Sequence, residues 1–139
     1  MSTMVLCKAK RRSNMPVRSL NSAVLKWPGR EEVDQAARRW ARRVARNCDR
    51  ILRVGYFGSY ATGDWGVGSD LDLIVLVESS DRAFERRSVD FIPDDIPVPC
   101  EVLVYTREEW ERMKAEGAKF ARTVEEEAVW IFNRPAPSE

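Results

Sequence analysis

The sequence contains no histidine. That removes Ser-His-Asp and Cys-His catalysis and histidine-ligated zinc together. Its three cysteines, Cys7, Cys48 and Cys100, stand too far apart for a zinc or redox motif. Their odd number suits a reducing cytoplasm rather than a disulfide scaffold. No apolar run is long enough to span a bilayer, so no membrane association is expected. No acidic residue precedes Glu31, and Lys8, Lys10, Arg11 and Arg12 make the start of the chain basic. This start lacks the apolar centre of a signal peptide. Over the whole chain 23 basic residues face 22 acidic ones, a net charge of +1. Bulk electrostatics therefore does not demand nucleic acid, and direct nucleic-acid binding is not expected. There is no internal repeat.

What is present fits one small domain. A chain of 139 residues can bury a real core. Residues 1–28 read as an irregular leader, with Met4 and Met15 as alternative starts and residues 19–25 as a short strand or turn. Residues 29–133 read as the folded unit, and residues 134–139, rich in proline, as a disordered tail. Residues 31–49 predict a helix, because Val33, Ala37, Trp40, Val44 and Cys48 recur at three- and four-residue steps. Arg38, Arg39, Arg42, Arg43 and Arg46 crowd its polar face, as a solvated surface or as a docking face for an acidic partner or RNA. A short polar helix is expected over residues 80–91, with Ser80 or Asp81 near its cap. Thr106 and Glu109 form a capping box that opens the next helix, and Gly117 ends it. Residues 118–127 predict another helix, and residues 128–132 a last strand. The tryptophans and phenylalanines of this half read as core. The resulting order indicates an α/β or α+β domain, a small mixed β-sheet with helices mainly on one face.

The chemistry concentrates between residues 51 and 77. Residues 51–57 read as a strand, followed by Gly58-Ser59, and ten residues later by Asp70-Leu71-Asp72 at the start of an apolar strand. On a strand, residues i and i+2 share a face, so Asp70 and Asp72 project together. Two like charges held side by side repel each other and resist desolvation, unless a cation bridges them. Hard carboxylate oxygens suit Mg²⁺, or Mn²⁺, which share substrate phosphates. An isolated Asp-x-Asp is commonly a solvated strand end; the apolar strand and the upstream turn favour a metal site here. Gly58 lets the backbone approach a ligand closely. Ser59 is a good N-cap, so Tyr60-Ala61-Thr62 should begin a short helix whose free amides attract phosphate. Gly63, Gly66 and Gly68 keep the following loop open.

Other phosphate motifs fail. Gly58 and Gly63 match the first part of a P-loop, but Asp64 and Trp65 stand where Lys and Ser/Thr are needed. Gly66-Val67-Gly68 continues as Ser69-Asp70-Leu71, which breaks the dinucleotide fingerprint. Ile74 and Val75 occupy positions that an EF-hand reserves for a ligand and glycine.

Gly58-Ser59, ten residues, then Asp70-Leu71-Asp72 resembles the signature of the minimal nucleotidyltransferase (MNT) family, in the polymerase beta-like superfamily. The resemblance covers residues 51–132. It implies a small mixed sheet flanked by helices, a third carboxylate on a later strand, and Mg²⁺-dependent transfer of AMP from ATP. Glu101 stands at that third position, where many relatives have Asp, and it opens an apolar strand of its own. Thr62 stands where many relatives have Arg. The resemblance assigns Asp70, Asp72 and Glu101 to catalysis and to two Mg²⁺ ions. It assigns Gly58, Ser59 and Ser69 to the nucleotide. It further implies an antitoxin whose acceptor is a tyrosine of a partner HEPN-type RNase toxin, in a hetero-oligomer. Two other readings remain: a dimeric transferase acting on an antibiotic-like small molecule, and a non-catalytic binding antitoxin.

Overall fold

The computed structural model describes residues 27–135. The expectations for residues 1–26, including the strand or turn at 19–25, and for residues 136–139 lie outside the described residues. Helix α1 spans Arg30–Asn47 and buries Val33, Ala36, Ala37, Trp40, Ala41, Val44 and Ala45 along one stripe. Glu31 and Glu32 in its first turn and Arg46 in its last complement the helix dipole. Trp40 is wholly buried, and truncating such a side chain costs about 3–5 kcal/mol. The crowded arginine face is partly spent inside the molecule. Arg38 pairs with Asp34 at 2.7 Å, and Arg43 reaches both Asp94 and Asp95 at 3.1 Å. Arg39, Arg42 and Arg46 are left exposed.

Strand β1 is Ile51–Phe57, and a single-turn helix α2 follows at Ser59–Thr62. Strand β2 is Leu71–Val77, β3 is Cys100–Thr106 and β4 is Val129–Asn133. Helices α3, Arg107–Ala115, and α4, Lys119–Glu127, lie between β3 and β4. The sheet order is β3-β2-β1-β4. β1 runs antiparallel to β2 and β4, and β2 runs parallel to β3, so the sheet is mixed as expected.

One expectation is corrected here: the helices cover both faces of the sheet. Leu71, Leu73, Val75 and Val77 pack with Val54 and Tyr56 into the same core as α1. Ile74 and Leu76 point the other way, into a second core with Trp110 of α3 and Ala121 and Val124 of α4. The physical reason is visible in β2 itself. Residues 73–77 are an unbroken apolar run, which marks a strand buried on both sides.

The segment after β2 forms a short helix as expected, but its cap lies later than Ser80 or Asp81. It is a 3-10 helix, Phe84–Asp90, with Ala83 at its N-cap. The Ser80 hydroxyl instead accepts the Arg82 N–H at 3.2 Å, a local bond that competes with helix formation. Arg87 then turns inward to meet the Glu109 carboxylate at 2.7 Å and the Val104 carbonyl at 3.2 Å. The Thr106–Glu109 capping box forms as expected, and Gly117 takes a φ of +75° just beyond α3. The proposed boundaries at residues 29 and 133 each pass beside a residue bonded to the domain. Trp27 donates its indole N–H to Tyr60 Oη at 3.0 Å. Arg134 donates to the Ile51 carbonyl at 2.8 Å and the Ala45 carbonyl at 3.1 Å.

Candidate active site

β1 ends at Phe57, which pairs with Asp72 across the antiparallel ladder. The chain then turns through Gly58 at φ +78°, ψ −151°, a region that is essentially glycine-only. The turn presses directly against the acid. A Cβ added at Gly58 would overlap Asp72 Oδ2 and lie 3.4 Å from Asp72 Cγ. The pairing of turn and carboxylate is thus a contact, and only a hydrogen at residue 58 permits it.

The parallel ladder brings the next acid alongside. Asp72 stands opposite Glu101 in the β2–β3 register. Asp70 lies one residue before β2, where Leu71 N–H bonds the Pro99 carbonyl at 2.9 Å. Partial burial raises the Asp72 carboxyl above the usual aspartate range, and the charges of Glu101 and then Asp70 raise it further. Asp70 and Glu101 are themselves exposed, so the mouth of the site opens to water. The three acids named from the sequence therefore share one electrostatic neighbourhood, with Asp72 its least solvated member. Among the described residues, no group of three or more His, Cys, Asp or Glu side chains is arranged as it stands to hold a metal ion.

The remaining sequence-named residues shape the backbone. Ser59 is the first helical residue, not the cap; Gly58 takes the N-cap position and no side chain caps α2. The Ser59 carbonyl accepts the Gly63 and Asp64 N–H groups at 2.9 and 3.0 Å. Ser69 closes the glycine loop. Its hydroxyl accepts the Gly66 N–H at 2.8 Å, and its own N–H donates to the Gly66 carbonyl at 2.9 Å. The loop returns the chain from the turn to Asp70.

Tyr60 was read from the sequence only as part of the short helix. In the structure it is fully buried and held at three points. The Trp27 indole donates to its hydroxyl at 3.0 Å, Arg30 Nε donates to its carbonyl at 2.9 Å, and Trp65 stacks on its ring at 5.4 Å and 9°. A tyrosine after a Gly-Ser turn carries no signal for this, because all three partners are distant in sequence or in a loop.

A mixed four-stranded sheet with acids at the mouths of adjacent strands, beside a glycine turn, is the architecture that the sequence resemblance implied. A family model for the nucleotidyltransferase domain matches residues 37–131, and the chain belongs to that family. Among solved structures, it resembles a candidate nucleotidyltransferase from Sulfolobus solfataricus at 19% identity and a TM-score of 0.54. That alignment covers 78% of this chain and 91% of the other. It also resembles a chain of a toxin-antitoxin structure with AMP-PNP, at 13% identity and a TM-score of 0.51, over 70% of this chain and 73% of that one. At these identities the likeness is one of fold. No curated protein matches the chain in sequence.

Proposed function

We propose that the chain transfers AMP from ATP to a hydroxyl acceptor, and that the acceptor is a tyrosine of a partner HEPN-type toxin, which the transfer silences. The observation that carries the transferase half is the contact of the Gly58 turn with Asp72, with Glu101 and Asp70 raising that carboxyl. Such an arrangement costs free energy in the free protein and gains from a cation beside it. The antitoxin half is supported by the Gly-Ser and Asp-x-Asp signature and by the fold shared with one chain of a toxin-antitoxin structure with AMP-PNP.

The donor set fits a hard divalent cation: carboxylate oxygens, partly exposed, with no nitrogen or sulfur ligand among them. Asp70 and Asp72 would hold Mg²⁺ together with the nucleotide's own phosphate oxygens, and Glu101 would add to the negative field. Bound there, Mg²⁺ would neutralise charge on the phosphates during in-line displacement. The protein's contribution is positional. The Gly58 turn would offer the Ser59 and Tyr60 N–H groups to the β- and γ-phosphates, since the Ala61 and Thr62 N–H groups already donate to the Gly58 carbonyl at 3.0 and 3.1 Å. Glu101, opposite Asp72 in the β2–β3 register, would accept the proton of the acceptor hydroxyl. The acceptor oxygen then bonds the α-phosphorus as pyrophosphate leaves, and the products are an AMP ester and pyrophosphate.

The test is transfer of α-labelled AMP to a purified HEPN-type toxin in the presence of Mg²⁺. Asp70→Asn and Asp72→Asn should each lower the rate at least about 100-fold while the fold persists. Transfer at the unmodified rate by either variant would refute the assignment of the acids. Label appearing on a small molecule instead of protein would refute the acceptor.

A further inference from the structure

The family match begins at residue 37, yet the phosphate-side turn is held by residues that precede it. A four-residue helix has too few internal bonds to persist alone. Tyr60 has the environment that makes up the deficit. Its carbonyl lies in a turn whose amides, Gly63 and Asp64, both donate to Ser59 instead. Arg30 supplies the acceptor's partner at 2.9 Å. Its hydroxyl, buried with the ring, receives the Trp27 N–H at 3.0 Å. Its ring face is closed by Trp65, from the loop that leads on to Asp70.

From these contacts we infer that Trp27, Arg30 and Trp65 form a brace on Tyr60. The brace fixes the Gly58–Ser59 turn against Asp72 for the bound triphosphate. Tyr60 and its three partners are positioning residues: Trp27 and Trp65 hold its side chain and Arg30 its carbonyl, beside the turn proposed to meet the phosphates, and none touches the reacting atoms. Tyr60 adjoins the turn directly, and Trp65 belongs to the loop joining that turn to the acids. The two halves of the site are therefore registered through one buried ring. The segment just before α1 becomes part of the nucleotide site although it lies outside the residues shared with the family. The inference rests on the nucleotidyltransferase reading for its ligand, and on the contacts alone for its mechanics.

Trp27→Phe and Tyr60→Phe each remove one end of the same hydrogen bond and keep an aromatic ring. Two measurements apply to the full chain: hydrogen exchange over residues 59–64, and the KM for ATP against kcat. Loss of one bond of this kind predicts about fivefold faster exchange and an about fivefold higher KM, with kcat within about twofold. The double variant should add little to either single one, because both break one contact. Lys119→Gln, exposed at the start of α4, should change neither. A lower melting temperature with exchange over 59–64 and KM both unchanged would overturn the brace, leaving Tyr60 as ordinary packing. Titration of the unmodified chain with Mg-ATP separates the two failures. Binding there with unaltered variants defeats the brace alone; no binding defeats the nucleotide reading and the positioning role with it.

Discussion

Replacing Gly58 by alanine tests the geometry on which the site depends. At φ +78°, ψ −151° an L-residue is strained by about 1–3 kcal/mol, because the new Cβ meets its own backbone. The second effect falls on Asp72. Its Oδ2 occupies the space the methyl group needs, so the carboxylate must rotate away. Oδ2 is the free end of a side chain, so rotation adds little to the stability cost but moves the proposed ligand. For a domain of this size each kcal/mol lowers the melting temperature by about 3–5 °C. Gly58→Ala should therefore melt about 3–15 °C lower and lose Mg-ATP binding. Gly66→Ala provides the internal comparison, since a Cβ there meets nothing within 4 Å. It should stay within about 0.5 kcal/mol of the unmodified chain. Differential scanning fluorimetry reads the first effect and isothermal titration the second. If Gly58→Ala melts within about 1 °C of the unmodified chain and binds Mg-ATP as well, the turn does not press on Asp72 and the reasoning fails.

Asp72→Asn should stabilise the fold while abolishing transfer. The folded chain keeps a proton on Asp72 to a higher pH than the unfolded chain does, so stability falls as pH rises through that window and stays lower above it. The variant should melt higher than the unmodified chain at pH 7, and the difference should close below the unfolded value of about 3.9; a variant that melts lower at pH 7 would refute this. Glu109→Ala leaves the buried Arg87 guanidinium without its carboxylate and removes half of the capping box, at a cost of about 2–3 kcal/mol by chemical denaturation. The Arg87 hydrogen bonds hold the Glu109 carboxyl down at about 2. Its contribution is therefore complete above the usual glutamate range and is lost as pH falls towards about 2. The gap between variant and unmodified chain should shrink over that interval, and a gap independent of pH would show that the pair is not its source.

Much of this site could be read before any coordinate. The period of a strand pointed to Asp70 and Asp72 as neighbours, and the Asp70 charge does raise the Asp72 carboxyl although Asp70 lies one residue before β2; Gly58 announced a backbone that other residues resist. The capping box and Gly117 worked because helix ends are local chemistry. The errors were errors of competition between local and distant bonds. Ser59 has the right hydroxyl for a cap, yet Gly58 takes the position because the turn must clear Asp72. Residues 80–91 do hold a short helix, yet it starts at Phe84 and not beside Ser80, whose hydroxyl bonds the Arg82 N–H instead. The arginine face of α1 looked uniform, because its pairing with Asp94 and Asp95 depends on where a later loop returns.

The amino-acid order by itself picked out the candidate residues: carboxylates at a spacing of two, a small-residue turn upstream, and no histidine for the catalytic and zinc chemistries that need one. Local rules of strand period and turn conformation suffice for that. Only the tertiary structure decided who stands beside whom. The β2–β3 register sets Glu101 opposite Asp72, the antiparallel return of β1 lays Gly58 on the same carboxylate, and Trp27 reaches Tyr60 across 33 positions of sequence. Those contacts follow from strand pairing and burial summed over the whole chain, which no short stretch of sequence contains.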